Sequence, residues 1–148
     1  MLPRSTTSAR PPRGSGRQLC RSRILVVVDN DENRDMYMDH LKSVGFGAIG
    51  ASDGETAIEA ARALRPAIIV MDVSLPRMSG WDATRLLKAD SLTRDIPVFA
   101  LTGHAEATAR DEAKRAGCDL FLSKPCSPPE LAAHIVRVLD QHRISSTP

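Results

Sequence analysis

From residue 24 to residue 139, short apolar runs alternate five times with stretches in which apolar residues recur every three or four positions. The runs predict strands at Ile24–Val28, Gly47–Ala51, Ala67–Met71, Val98–Thr102 and Leu120–Ser123. The first, third and fourth are nearly uninterrupted, as expected of parallel strands buried on both faces. The intervening stretches predict helices. Tyr37, Leu41 and Val44 line one face of residues 32–44, and Ala57, Ile58, Ala61 and Leu64 one face of residues 55–64. Residues 81–89 place Trp81, Leu86 and Leu87, and residues 105–116 carry an alanine stripe through Ala105, Ala109, Ala113 and Ala116. The last helix opens on Ser127-Pro128-Pro129-Glu130, a capping box with proline at the first helical position, and continues with Leu131, Ile135, Val138 and Leu139 on one side. Gly45 and Gly117 stand where the first and fourth helices should stop. Five βα units of this length predict an α/β doubly wound three-layer sandwich with right-handed crossovers.

A chain of 148 residues is one domain by length and large enough to bury a core without staples. No apolar run approaches the roughly 18 residues of a membrane helix. The net charge of +2 conceals an asymmetry: residues 1–23 hold six arginines and no acid, so residues 24–148 carry −4. That excludes a basic nucleic-acid surface on the folded part, and no nucleic-acid or membrane partner is expected. The arginine-rich tail lacks the apolar segment of a secretory signal. Its Arg- and Ser/Thr-rich composition has some likeness to an organellar transit peptide, but Pro3, Pro11 and Pro12 interrupt any amphipathic helix. It reads as a disordered segment over residues 1–22 or an over-extended start. Residues 143–148 read as a frayed end. Cys20, Cys118 and Cys126 are odd in number and lack C-x-x-C spacing, so they read as free thiols in a reducing, cytoplasmic compartment.

The polar residues that interrupt the apolar runs share one edge of the expected sheet. Asp29 follows the first strand, Asp72 the third, Thr102 ends the fourth and Lys124 follows the fifth. With the first and third strands adjacent, Asp29 and Asp72 converge at the topological switch point, where ligands bind in open α/β sheets. Two carboxylates there repel each other unless a divalent cation lies between them, and Mg²⁺ favours a few carboxylates with water and phosphate oxygens. The ammonium of Lys124 and the hydroxyl of Thr102 can meet the oxygens of a phosphoryl group.

Four stretches carry a family resemblance: ILVVVDNDENR at residues 24–34, VMDVSLPRMSGWD at 70–82, PVFALTG at 97–103 and FLSKP at 121–125. In this order and spacing the chain resembles the CheY-like receiver domain of two-component response regulators over residues 23 to about 142. The resemblance implies a flavodoxin-like five-stranded parallel sheet of order 2-1-3-4-5 with helices on both faces. It implies Asp72 as the acceptor of a phosphoryl group from a phosphohistidine on a sensor histidine kinase or histidine phosphotransfer protein. Mg²⁺ would be held by Asp29, Asp72 and the backbone carbonyl of Ser74. Lys124, before a cis Pro125, would pair with phosphoryl oxygens, Thr102 would hydrogen-bond the phosphoryl group, and Phe121 would turn inward behind it. Ser74 and His104 occupy positions that tune dephosphorylation; the alternative for His104 is a plain solvent-facing residue. With no room for an effector domain after residue 142, output is expected through contacts with a downstream target protein or through phosphoryl relay. A turnover enzyme is not expected.

One position departs from the family pattern. Two adjacent acids usually follow the first strand; here they read Val28-Asp29. The retained acid matches the direct metal ligand, and the lost one acts through a bound water, so weaker Mg²⁺ binding is expected. Asp31 either compensates in part or caps the first helix. A pseudo-receiver that signals without phosphate is therefore the alternative reading.

Gly45-Phe46-Gly47-Ala48-Ile49-Gly50 is a literal G-x-G-x-x-G. It ends a helix and enters a strand, the reverse of a dinucleotide fingerprint. A haloacid-dehalogenase-type phosphatase needs a second aspartate two residues after its nucleophile, where this chain has Ser74. His40, His134 and His142 have no metal-like spacing, and Met78 and Trp81 read as packing for the third helix.

Overall fold

The structure is a computed structural model and describes residues 22–103 and 107–146. Five strands, β1 (Arg23–Val27), β2 (Gly47–Ala51), β3 (Ile68–Asp72), β4 (Val98–Thr102) and β5 (Leu120–Ser123), form one parallel sheet of order β2-β1-β3-β4-β5. The helices are α1 (Asp31–Ser43), α2 (Gly54–Leu64), α3 (Gly80–Ala89), α4 (Ala107–Ala116) and α5 (Pro128–Ser146). The doubly wound order expected from the sequence is the one observed.

Alternation along the strands explains why the apolar runs are continuous. Ile24, Val26 and Val28 of the first run, with Ile68 and Val70 of β3 and Phe99 and Leu101 of β4, pack against Tyr37 and Leu41 of α1 and Leu131 and Ile135 of α5. The intervening Leu25, Val27, Ile69, Met71 and Val98 face the other way, onto Ala57 and Ala61 of α2 and Ala83 and Leu87 of α3. A strand between two helical layers has no solvent face, so each of its side chains is apolar.

The helix ends follow local chemistry, with one correction. The N-cap of α1 is Asn30, whose side chain accepts from the Asn33 N–H at 2.9 Å, and not Asp31, which opens the first turn. An N-cap has extended backbone, and Asn30 has φ −75°, ψ 122°. Gly45 (φ 104°) and Gly117 (φ 95°) follow α1 and α4 in the left-handed conformation that suits glycine. The capping box of α5 forms reciprocally: the Ser127 N–H donates to Glu130 Oε1 at 3.0 Å, and the Glu130 N–H to Ser127 Oγ at 3.3 Å. α5 continues to Ser146, past the expected fraying point at residue 143. Apart from Ser22, the expected disordered segment over residues 1–22 lies outside the described residues, as do His104, Ala105, Thr147 and Pro148.

Some expected stripe positions are exposed. Val44 and Leu86 are 47% and 51% accessible, because Val44 is the C-cap of α1 and Leu86 sits beside the inward-facing Leu87. Thr84 fills the α3 face instead, its hydroxyl donating to the Gly80 carbonyl at 2.8 Å. Among the described residues no helix is long and apolar enough to cross a membrane.

Candidate functional site

Asp72 is the last residue of β3 and pairs in register with Leu101 of β4, so its backbone is fixed by the sheet. It is only 5% accessible. Each carboxylate oxygen has a donor: Oδ1 accepts from the Ser74 N–H at 2.9 Å, and Oδ2 accepts from Lys124 Nζ at 2.9 Å. Lys124 follows β5, two strands away. Its own N–H donates to the carbonyl of Thr102 at 2.7 Å, and its peptide bond to Pro125 is cis. Thr102 ends β4 and is buried. Asp72, Lys124 and Thr102 thus meet at one sheet edge, as the strand-end positions imply.

The loop after β3 comes close to the Asp72 backbone because Gly80 lacks a side chain. A Cβ there would lie 2.5 Å from the Asp72 carbonyl oxygen and 2.6 Å from Val73 Cα. In the same loop Arg77 adopts φ 65°, and its guanidinium pairs with Asp53 Oδ2 at 2.9 Å. Asp53 caps α2, accepting from the Thr56 N–H at 2.8 Å. That backbone hydrogen bond is the main reason its pKa lies below the ordinary carboxylate value.

Beside Asp72 and Lys124 opens a cleft of about 680 Å³, walled by Val28, Tyr37, Met36, Cys126 and Pro128. Val28, where the family pattern has an acid, is 3% accessible and belongs to the core against α1 and α5. Its carbonyl accepts from Arg34 Nη1 at 2.7 Å, and the same guanidinium pairs with Asp31. Asp31 thus pairs with Arg34 at the first turn of α1. Asp29 is exposed after β1. Among the described residues no cluster of three or more His, Cys, Asp or Glu side chains is arranged to hold a metal. What the edge offers is two carboxylates and backbone carbonyls, an all-oxygen set that fits Mg²⁺, which keeps several waters and needs only one or two protein carboxylates.

Phe121 lies in β5, partly accessible, with Arg110 Cζ of α4 5.7 Å from its ring centroid. This is a cation–π contact. It lies on the α4–β5 side of the sheet, away from the cleft wall. Cys118 and Cys126 are free thiols; burial pushes the Cys118 thiol up to about 11 and raises that of Cys126 as well.

Two features of this site were not read from the sequence. Tyr37 appeared only as part of an apolar stripe, yet its hydroxyl donates to the Cys126 carbonyl at 2.6 Å, 89 positions away. The available signal was the hydroxyl itself, since a buried tyrosine needs a partner for it. Gly80 gave none, because its close approach depends on how the loop folds back.

The sequence model of the response regulator receiver domain matches residues 24–136. The polar-differentiation response regulator DivK of Brucella anthropi is 36% identical over 106 residues, covering 72% of this chain and 86% of DivK. Among solved structures, the chemotaxis protein CheY4 of Vibrio cholerae has a TM-score of 0.76 at 28% identity, covering 80% of this chain and 98% of CheY4. The receiver domain of the sensor histidine kinase PA1611 from Pseudomonas aeruginosa, solved with a magnesium ion coordinated in its active-site cleft, has a TM-score of 0.73 at 33% identity, covering 79% and 96% of the two chains. By its sequence, its strand order and these relatives, the chain belongs to the response regulator receiver domain family.

Proposed function

We propose that this receiver is a phosphorylation-driven binding switch of a cytoplasmic phosphorelay, with Asp72 as phosphoacceptor. The observation that carries the reading is the setting of Asp72, buried at a strand end with one oxygen held by the Ser74 N–H and the other by Lys124. A sensor histidine kinase or histidine phosphotransfer protein presents the phosphohistidine. A carboxylate oxygen of Asp72 attacks phosphorus, an O–P bond forms as the N–P bond breaks, and the imidazole leaves with the electron pair and takes up a proton. Lys124 releases part of its pairing with Asp72 to the phosphoryl oxygens, and Thr102 supplies a hydroxyl to the same oxygens. Asp29, Asp72 and the Ser74 carbonyl would hold Mg²⁺, which would supply charge neutralisation for the phosphoryl group in flight.

The product biases an equilibrium between two arrangements of α4, β5 and α5, with Phe121 turning inward, and a downstream target protein reads the difference. Ser74 and His104 set the lifetime of the aspartyl phosphate.

Val28 favours a second reading, a constitutive interaction module. Its side chain packs in the core where the family pattern has an acid, and Asp31 pairs with Arg34, so Asp29 and Asp72 are the two carboxylates that follow the strands there. Incubation with acetyl phosphate and Mg²⁺ separates the two. The switch gains one phosphoryl group per chain by intact mass, and the gain disappears in Asp72→Asn and in excess chelator. A folded protein that gains none is a pseudo-receiver.

A further inference from the structure

The loop that carries Lys124 leaves the sheet with few ties of its own. The last ladder bond is the Lys124 N–H to the Thr102 carbonyl at 2.7 Å. The next local ties are at Ser127, where the capping box starts α5. Between these points Pro125 has no N–H to give, and the buried Cys126 carbonyl accepts from Tyr37 Oη of α1 at 2.6 Å. Tyr37 is 7% accessible and packs in the core with Val28, and its ring walls the cleft that Asp72 and Lys124 share. The ammonium of Lys124 rides on a flexible stem whose direction depends on where this loop is held.

We infer that Tyr37 is a positioning residue for the phosphoryl-transfer site: its hydroxyl pins the loop after β5 to α1 and so aims Lys124 at Asp72. Burial, followed by the nearby Cys126, Asp72 and Glu130, raises the pKa of the phenol, so it remains a protonated donor across the ordinary pH range. A phenylalanine would keep the ring and its packing but leave the Cys126 carbonyl without this donor, and the loop would move to find another. The inference rests on reading Asp72 as the acceptor, but the Lys124–Asp72 pairing can be observed without any phosphoryl transfer.

The chain has four lysines, Lys42, Lys88, Lys114 and Lys124, so protein labelled at lysine ¹³Cε carries only four such signals. Lys124→Gln assigns the relevant one, and Asp72→Asn marks where it moves when the pairing is lost. In Tyr37→Phe the Lys124 signal is expected to move in the direction of Asp72→Asn while Lys88 and Lys114 stay in place. A Lys124 signal at its wild-type position overturns the inference. So does a shift shared with Lys88 and Lys114, which would mark general loosening rather than positioning.

In the kinetic arm, phosphorylation by acetyl phosphate at saturating Mg²⁺ is expected to slow about 3- to 10-fold, the factor that one neutral hydrogen bond represents. The Kd for Mg²⁺ should not change. In the Lys124→Gln background, Tyr37→Phe should cause no further slowing, and an additive loss overturns the inference. If wild-type protein takes no phosphoryl group, the acceptor reading fails alone, and the lysine signals still decide the role of Tyr37.

Discussion

Restoring the missing acid is the sharpest perturbation of this site. In Val28→Asp, a carboxylate would replace a side chain that is 3% accessible and packed with Tyr37 and Leu41. Two effects of opposite sign follow. Without metal, the variant loses the burial of a valine side chain, about 1.5–3 kcal/mol, and adds a third negative group beside Asp29 and Asp72. With Mg²⁺, a carboxylate about 5 Å from the cation at an effective dielectric of about 20 gains roughly 3 kcal/mol per unit of cation charge. The cleft is open to water, which screens most of this. About 1.4–3 kcal/mol should survive, tightening Mg²⁺ binding about 10- to 100-fold. Val28→Asn makes the same change of shape without charge and is the reference. The assay is a Mg²⁺ titration followed by the fluorescence of Trp81, the single tryptophan, which lies in the first turn of α3. Thermal unfolding with and without Mg²⁺ runs alongside it. Val28→Asp should melt lower than wild type in chelator and gain more from Mg²⁺ than Val28→Asn does. Equal Mg²⁺ affinity in the two variants would refute the placement of residue 28 beside the metal.

Three further outcomes follow from the packing. Gly80→Ala forces a Cβ to within 2.5 Å of the Asp72 carbonyl oxygen, and backbone cannot yield as a side chain can. It should cost about 1–3 kcal/mol in urea unfolding and slow phosphorylation as well; stability within about 0.5 kcal/mol of wild type would contradict this. Lys88 Nζ donates to the Ile96 carbonyl at 2.8 Å and pairs at 3.0 Å with Asp119 Oδ2, which also accepts from the Val98 N–H. Lys88→Met should therefore destabilise by about 2 kcal/mol, and a loss below about 0.5 kcal/mol would show the network to be dispensable. The depressed pKa of Asp53 means that its cap stabilises the fold above the ordinary value of 3.8, and that this contribution is lost as pH falls through the lower folded value. Asp53→Asn keeps an acceptor for the Thr56 N–H but does not titrate. Its melting temperature should therefore fall less steeply than that of wild type below about pH 4, and parallel acid limbs would refute the assignment.

The sheet was legible because its three central strands, β1, β3 and β4, are buried on both faces, which leaves apolar runs that end in Asp29, Asp72 and Thr102, with Lys124 just past the part-buried β5. The site was legible for the same reason, since strand ends are where a parallel sheet presents polar groups. Helix faces were less legible. Leu86 and Val44 fit the periodicity but point outward, because Thr84 and Leu87 fill the inner face of α3 and Val44 has already left the helical turn. The α1 cap fell to Asn30 rather than Asp31 because either side chain can cap and only the backbone angle decides. The Tyr37–Cys126 bond and the Gly80 approach join segments far apart in sequence or folded back in a loop, and local pattern carries no record of such meetings.

Whether Asp72 takes the phosphoryl group is decided by locating the modification. After incubation with acetyl phosphate and Mg²⁺, borohydride reduces an aspartyl phosphate to homoserine, and peptide mapping then reads the residue at each position. Homoserine is expected at position 72, none at Asp29 or Asp31, and none anywhere when Mg²⁺ is chelated. An unreduced Asp72 in folded, Mg²⁺-supplied protein, or homoserine at another aspartate, would contradict this expectation.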